Sequence, residues 1–177
     1  MSNLTRRELI RTGAAGVALL ALVNCARSKP LVPVEDNGYR YEELSAADRA
    51  LIASVGAVML DGALPAAGAA HDEAILQVVR GVDVAISGLR PGVQAEVHQL
   101  FGLLEFPVTR GFAAGIWSSW ETATPADIAK FLDGWRYSGV MLFRTGYQAL
   151  HQLVMASWYG NSASWPRIGY PGPPVVR

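Results

Sequence analysis

The chain has one cysteine, Cys25, in 177 residues, which excludes a disulfide framework within it. Charge is sparse at 17%, with 15 basic side chains balanced by 15 acidic ones. No basic excess is available to hold a phosphate backbone, so nucleic acid is not an expected partner. The three histidines, His71, His98 and His151, stand at no metal-ligand spacing from one another or from the cysteine, so no metal site is expected. Cys-x-x-Cys-His is missing, and with it covalent haem. A Gly-x-Gly-x-x-Gly turn after a strand, a Gly-x-Ser-x-Gly elbow and a phosphate loop are missing too. Glu42-Glu43 and Asp72-Glu73 stand near expected helix starts, where carboxylates serve the helix dipole rather than acid–base work. With no nucleophile, base or metal set visible, no catalytic residue is assigned.

A long apolar run is also lacking. The longest, Gly13 to Val23, is 11 residues. As a helix it reaches about 16 Å, against a bilayer core of about 30 Å. That length suits the apolar core of an export signal, and glycine and alanine keep it mild. Thr5-Arg6-Arg7-Glu8-Leu9-Ile10-Arg11 stands before it, and adjacent Arg6-Arg7 with Leu9 points to the twin-arginine route, which carries folded cargo. The expectation is export to the periplasm through the twin-arginine translocase, with a signal over residues 1–26. Leu22-Val23-Asn24-Cys25 resembles a lipoprotein box, with Asn24 where such boxes want a small residue. Either Cys25 is lipidated, attaching the chain to the membrane, or it is cut away with the signal.

From Ala26 onward the chain carries 12 basic and 14 acidic side chains, a net charge near −2. About 150 residues make one ordinary domain. Residues 27–44 contain prolines and charges and read as an extended linker. Helical signals begin at Ser45, a cap three residues before Asp48, and Leu51, Ile52, Val55, Val58 and Met59 recur at helical spacing. After a Gly/Ala/Pro loop, a second helix is expected from about Asp72 to Ser87 and a third from Pro91. A short helix fits between Phe106 and Trp120. Thr124-Pro125 opens another, with a break at Gly139 and an end at Gly160-Asn161. No stretch alternates as a strand must, so the expectation is an all-α bundle of five or six helices over residues 45–160. Residues 161–177 form an extended tail that ends Tyr170-Pro171-Gly172-Pro173-Pro174.

All five tryptophans, Trp117, Trp120, Trp135, Trp158 and Trp165, stand in the last third with four of the six tyrosines. Such residues bury large area while keeping a polar handle, which suits protein interfaces. Trp135 lies on an apolar stripe and belongs to the core. Trp158, Tyr159, Trp165, Tyr170 and Pro171 flank a helix end and an irregular tail, and are expected to meet a partner. The tail itself reads equally as a docking strap or as a loose end.

Ala156-Ser157-Trp158-Tyr159-Gly160-Asn161, followed by Trp165 and Ile168-Gly169-Tyr170-Pro171-Gly172-Pro173-Pro174, resembles the end of the small subunits of periplasmic flavin-dependent sugar and alcohol dehydrogenases. That group includes gluconate 2-dehydrogenase subunit 3 and the small subunits of sorbitol, fructose and glucose dehydrogenases. The resemblance spans the signal and roughly residues 120–174, while residues 45–115 match only in being helical and apolar. It implies an accessory subunit that is not itself an enzyme. Its partner would be an FAD-dependent large subunit without its own signal, exported while bound, with a cytochrome subunit taking the electrons. FAD would sit in that partner and membrane contact would come through the signal or the partner. Some relatives carry a cysteine near Tyr159; this body has none, so no role of such a cysteine is carried over. The rival expectation is a free-standing periplasmic binding protein or lipoprotein with a ligand site among its tryptophans.

Overall fold

A computed structural model describes residues 34–36 and 38–173. The signal residues Arg6, Arg7 and Leu9, with Cys25 and the last four residues, lie outside the described residues. The architecture is all-α: among the described residues six helices make up the body. They are α1 (Ala46–Met59), α2 (Ala69–Ser87), α3 (Pro91–Glu105), α4 (Pro107–Ala114), α5 (Pro125–Arg136) and α6 (Met141–Tyr159), followed by a 3₁₀ turn at Trp165–Ile168.

The helix starts follow local chemistry. Ser45 Oγ accepts the Asp48 backbone N–H at 3.1 Å, and Asp48 Oδ2 accepts the Ser45 N–H at 2.9 Å, a reciprocal cap. Thr124 Oγ1 accepts the Asp127 N–H at 3.2 Å ahead of Pro125. Pro91 and Pro107 open α3 and α4, where a missing N–H costs nothing. One start differs: α2 begins at Ala69, earlier than Asp72, behind Gly68 at φ 132. The break at Gly139 is present, since α5 ends at Arg136 and α6 begins at Met141.

The α3–α4 corner shows how a proline break is accommodated. The last three carbonyls of α3 need donors from outside that helix. Thr109 Oγ1 donates to Leu103 O at 2.6 Å, Trp120 Nε1 to Leu104 O at 2.9 Å, and Arg110 Nη1 to Glu105 O at 3.2 Å. The chain therefore turns out of α3 without burying an orphan acceptor.

α2 packs along α6, and α1 packs against α2, α3, α5 and α6. Val78, Val82 and Ile86 of α2, Ile52 and Val55 of α1, Phe101 and Leu104 of α3, and Leu150 and Val154 of α6 are buried together. Gly81 lets α2 and α6 approach closely: a Cβ there would fall 2.8 Å from Ser157 Cβ.

The segment expected to be a linker is different in its second half. Two short antiparallel strands, β1 (Val34–Asp36) and β2 (Tyr39–Tyr41), form a hairpin with Val34 opposite Tyr41. Tyr41 and Leu44 are core residues. The reason lies in Asp83, a buried carboxylate on α2. It accepts the backbone N–H groups of Glu42 (3.1 Å), Glu43 (2.9 Å) and Leu44 (3.0 Å), and the Tyr39 hydroxyl at 3.2 Å. Glu43 in turn meets His98 Nε2 at 3.0 Å. Residues 39–44 are thus part of the body, tied to it by one side chain about 40 positions further along the chain.

Candidate functional site

The expected partner surface at the C-terminus divides in two. Trp158 is not on the surface: it is 4% exposed and belongs to the core. It continues the α6 stripe of Leu150, Leu153 and Val154, and helical spacing turns it inward. Its indole N–H finds no acceptor among the described residues. Tyr159, Tyr170 and Pro171 are exposed, and Trp165 is half-buried.

These four form a compact corner. Trp165 Nε1 donates to Tyr159 O at 2.9 Å, and the Trp165 and Tyr170 rings meet edge-on at 5.2 Å. The tail after the 3₁₀ turn folds back, since a Cβ at Gly172 (φ 102) would lie 3.1 Å from the Trp165 ring. Arg167 fixes the corner to the α1–α2 loop, donating to Ala63 O at 3.2 Å and Leu64 O at 2.9 Å. Much of the aromatic surface at this end is consumed by packing on itself.

A larger apolar surface lies at the other end of α6, and Trp135 organises it. Trp135 is buried on α5. Its Nε1 donates to Ala113 O at 2.7 Å, tying α5 to α4, and its ring stacks on Phe143 of α6 at 5.2 Å and 16°. Phe131 meets it edge-on at 4.9 Å, and Gly146 leaves room for it, because a Cβ there would fall 2.4 Å from the indole. Three helices therefore converge on one indole.

Around that hub the neighbouring side chains point outward. On the α4 side these are Phe106, Val108, Phe112 (80% exposed) and Trp117 (66%). On the α5–α6 side they are Tyr137 (73%), Val140, Met141 (73%) and Leu142. Phe112 precedes Ala113 and Leu142 precedes Phe143, two of the residues that touch Trp135. Large apolar patches on a folded domain mark places where something else binds. The sequence held a signal for this face. Val140-Met141-Leu142-Phe143 are four apolar residues in succession, and a helix can turn only part of such a run inward.

An open groove of about 490 Å³ runs between α2 and α6, lined by Tyr39, Gln77, Arg80, Val84, Ser157 and Asn161 among others. No tryptophan lines it. Trp120, Trp135 and Trp158 are core residues, so the tryptophans do not gather around a ligand site there. Electrostatics at its edge are set by Asp83. Burial, then the Asp83 charge and hydrogen bond, push the Tyr39 hydroxyl up to about 12.

Among the described residues no three His, Cys, Asp or Glu side chains are grouped to hold a metal ion, and no helix is long and apolar enough to cross a membrane. Comparison with family models, curated proteins and solved structures finds no match to this chain.

Proposed function

We propose that this chain is a non-catalytic accessory subunit of a flavin-dependent dehydrogenase. It binds the folded flavoprotein, and its own twin-arginine signal directs the pair to the periplasm. The observation that carries the reading is the apolar face around Trp135 on a body whose sequence opens with Arg6-Arg7 and a short apolar run. A domain that leaves the cytoplasm folded has no reason to expose Phe112, Trp117, Tyr137 and Met141 unless they meet a partner. The resemblance of the C-terminal sequence to dehydrogenase small subunits names the class of that partner. FAD belongs to the partner in this reading, and any cytochrome subunit is a further partner.

Co-expression with a signal-less flavin-dependent dehydrogenase from the same genome tests the reading. Active flavoprotein is expected in the periplasm only when this chain is present. Export of active flavoprotein without the chain, or with Arg6→Lys/Arg7→Lys in place, overturns it. The rival ligand-binding reading would have to rest on Trp117 and Trp165, since Trp120, Trp135 and Trp158 are core residues.

A further inference from the structure

We infer that the end of the bundle around Trp135, and not the C-terminal corner, is the docking face for a folded protein whose own surface is apolar at its centre and acidic at its rim. The inference rests on the accessory-subunit reading and adds where and what that subunit binds.

Composition is the first argument. Protein interfaces are enriched in Trp, Tyr, Phe, Met and Arg and depleted in Lys and Glu. The exposed residues here are Phe112, Trp117, Tyr137, Met141 and Leu142, with Arg136 and Arg144 beside them.

Preorganisation is the second. Trp117 is pressed onto Gly111 so closely that a Cβ would fall 2.5 Å from its ring, and it meets Phe112 edge-on at 5.4 Å. A ring held in place before binding loses little entropy on docking, as an interface anchor should.

Charge is the third. α6 begins at Met141 with no side-chain cap and no acidic residue in its first turn. Arg144 stands in that first turn, where the helix dipole disfavours a cation. Arg136 lies over the Tyr137 ring at 5.2 Å and the Tyr147 ring at 5.9 Å, and Arg144 donates to Ser138 O. Neither pairs with a carboxylate among the described residues. Two arginines and a positive helix end beside an apolar face call for carboxylates from outside the chain.

Magnitude decides against a lipid surface. Anionic bilayers are held by clusters of about 4–8 basic residues. This face offers two, and Asp133 is exposed one turn before Tyr137. A bilayer also has no use for a ring fixed against Gly111.

The test uses the full chain co-expressed with the signal-less flavoprotein, and then the purified pair. Phe112→Asp and Leu142→Asp are each expected to weaken the complex at least about 30-fold. Arg136→Glu/Arg144→Glu is expected to weaken it about 10-fold, mainly by slower association. Tyr159→Asp/Tyr170→Asp is expected to stay within about 2-fold of wild type, as exposed residues outside an interface do. Thermal melts check folding, and Phe112→Ser and Leu142→Ser replace any aspartate variant that melts early. Losses confined to the Tyr159/Tyr170 variant overturn the inference and move the interface to the C-terminal corner. Wild-type binding to vesicles of phosphatidylglycerol and phosphatidylethanolamine in equal parts, lost in Leu142→Asp while the flavoprotein complex is intact, overturns it in favour of a membrane face. If the wild-type chain forms no complex with the flavoprotein, the accessory-subunit reading itself fails.

Discussion

Trp117 lies against the backbone of Gly111, where a single methyl group would come within 2.5 Å of its ring. The contact holds a largely exposed indole in one orientation. Gly111→Ala must swing that ring away. Because Trp117 is exposed, the ring can move without opening a cavity, and the cost in stability should stay below about 1 kcal/mol. The expected outcome is an almost unchanged melting temperature with about 10-fold weaker binding of the flavoprotein. A thermal melt and a binding titration on the same preparation check both halves.

Asp83 holds residues 39–44 on the body. Asp83→Ala leaves the N–H groups of the buried residues Glu43 and Leu44 without their acceptor. At about 1–3 kcal/mol for each orphaned donor, the expected loss is about 2–6 kcal/mol, read from urea unfolding. Asp83→Asn keeps one acceptor oxygen and should fall between the two.

Tyr39 gives the alkaline limb of stability. Its pKa is raised to about 12 by burial and by Asp83, above the usual value of 10.0. The folded state therefore holds this proton more tightly than the unfolded state does. Its contribution is fully present below pH 10.0 and is lost as pH rises through about 12. Unfolding free energy measured against pH should fall over that window in the wild type. Tyr39→Phe should lessen the fall.

Trp120 and Trp158 are both buried but differ in their N–H groups. Trp120 Nε1 bonds to Leu104 O, while Trp158 Nε1 has no acceptor among the described residues. Trp120→Phe removes a hydrogen bond from a helix-end carbonyl and should cost about 1–2 kcal/mol more than Trp158→Phe, in which an unsatisfied donor disappears. Trp158→Ala should cost about 3–5 kcal/mol, as loss of a core side chain does. Chemical denaturation of the three variants gives the comparison.

The helices were legible because their signals are local. Ser45, Pro91 and Thr124 mark starts that need only a neighbouring N–H or a fixed φ, and Gly139 marks a break between α5 and α6. The hairpin and the docking of residues 39–44 were not legible, since Asp83 stands about 40 positions away and nothing nearby announces it. Closeness to a helix end suggests a surface position for Trp158, but the stripe from Leu150 through Val154 turns it into the core. The face around Trp135 is only half legible. The run Val140-Met141-Leu142-Phe143 announces Met141 and Leu142, but exposure of Phe112 depends on where three helices meet, which periodicity within one helix does not contain.

The most direct measurement is flavoprotein activity in the periplasm of cells that express the signal-less flavoprotein with this chain, with its Arg6→Lys/Arg7→Lys variant, or alone. The account predicts periplasmic activity with the wild-type chain only, and activity retained in the cytoplasm in the other two cases. Equal periplasmic activity in all three would contradict it.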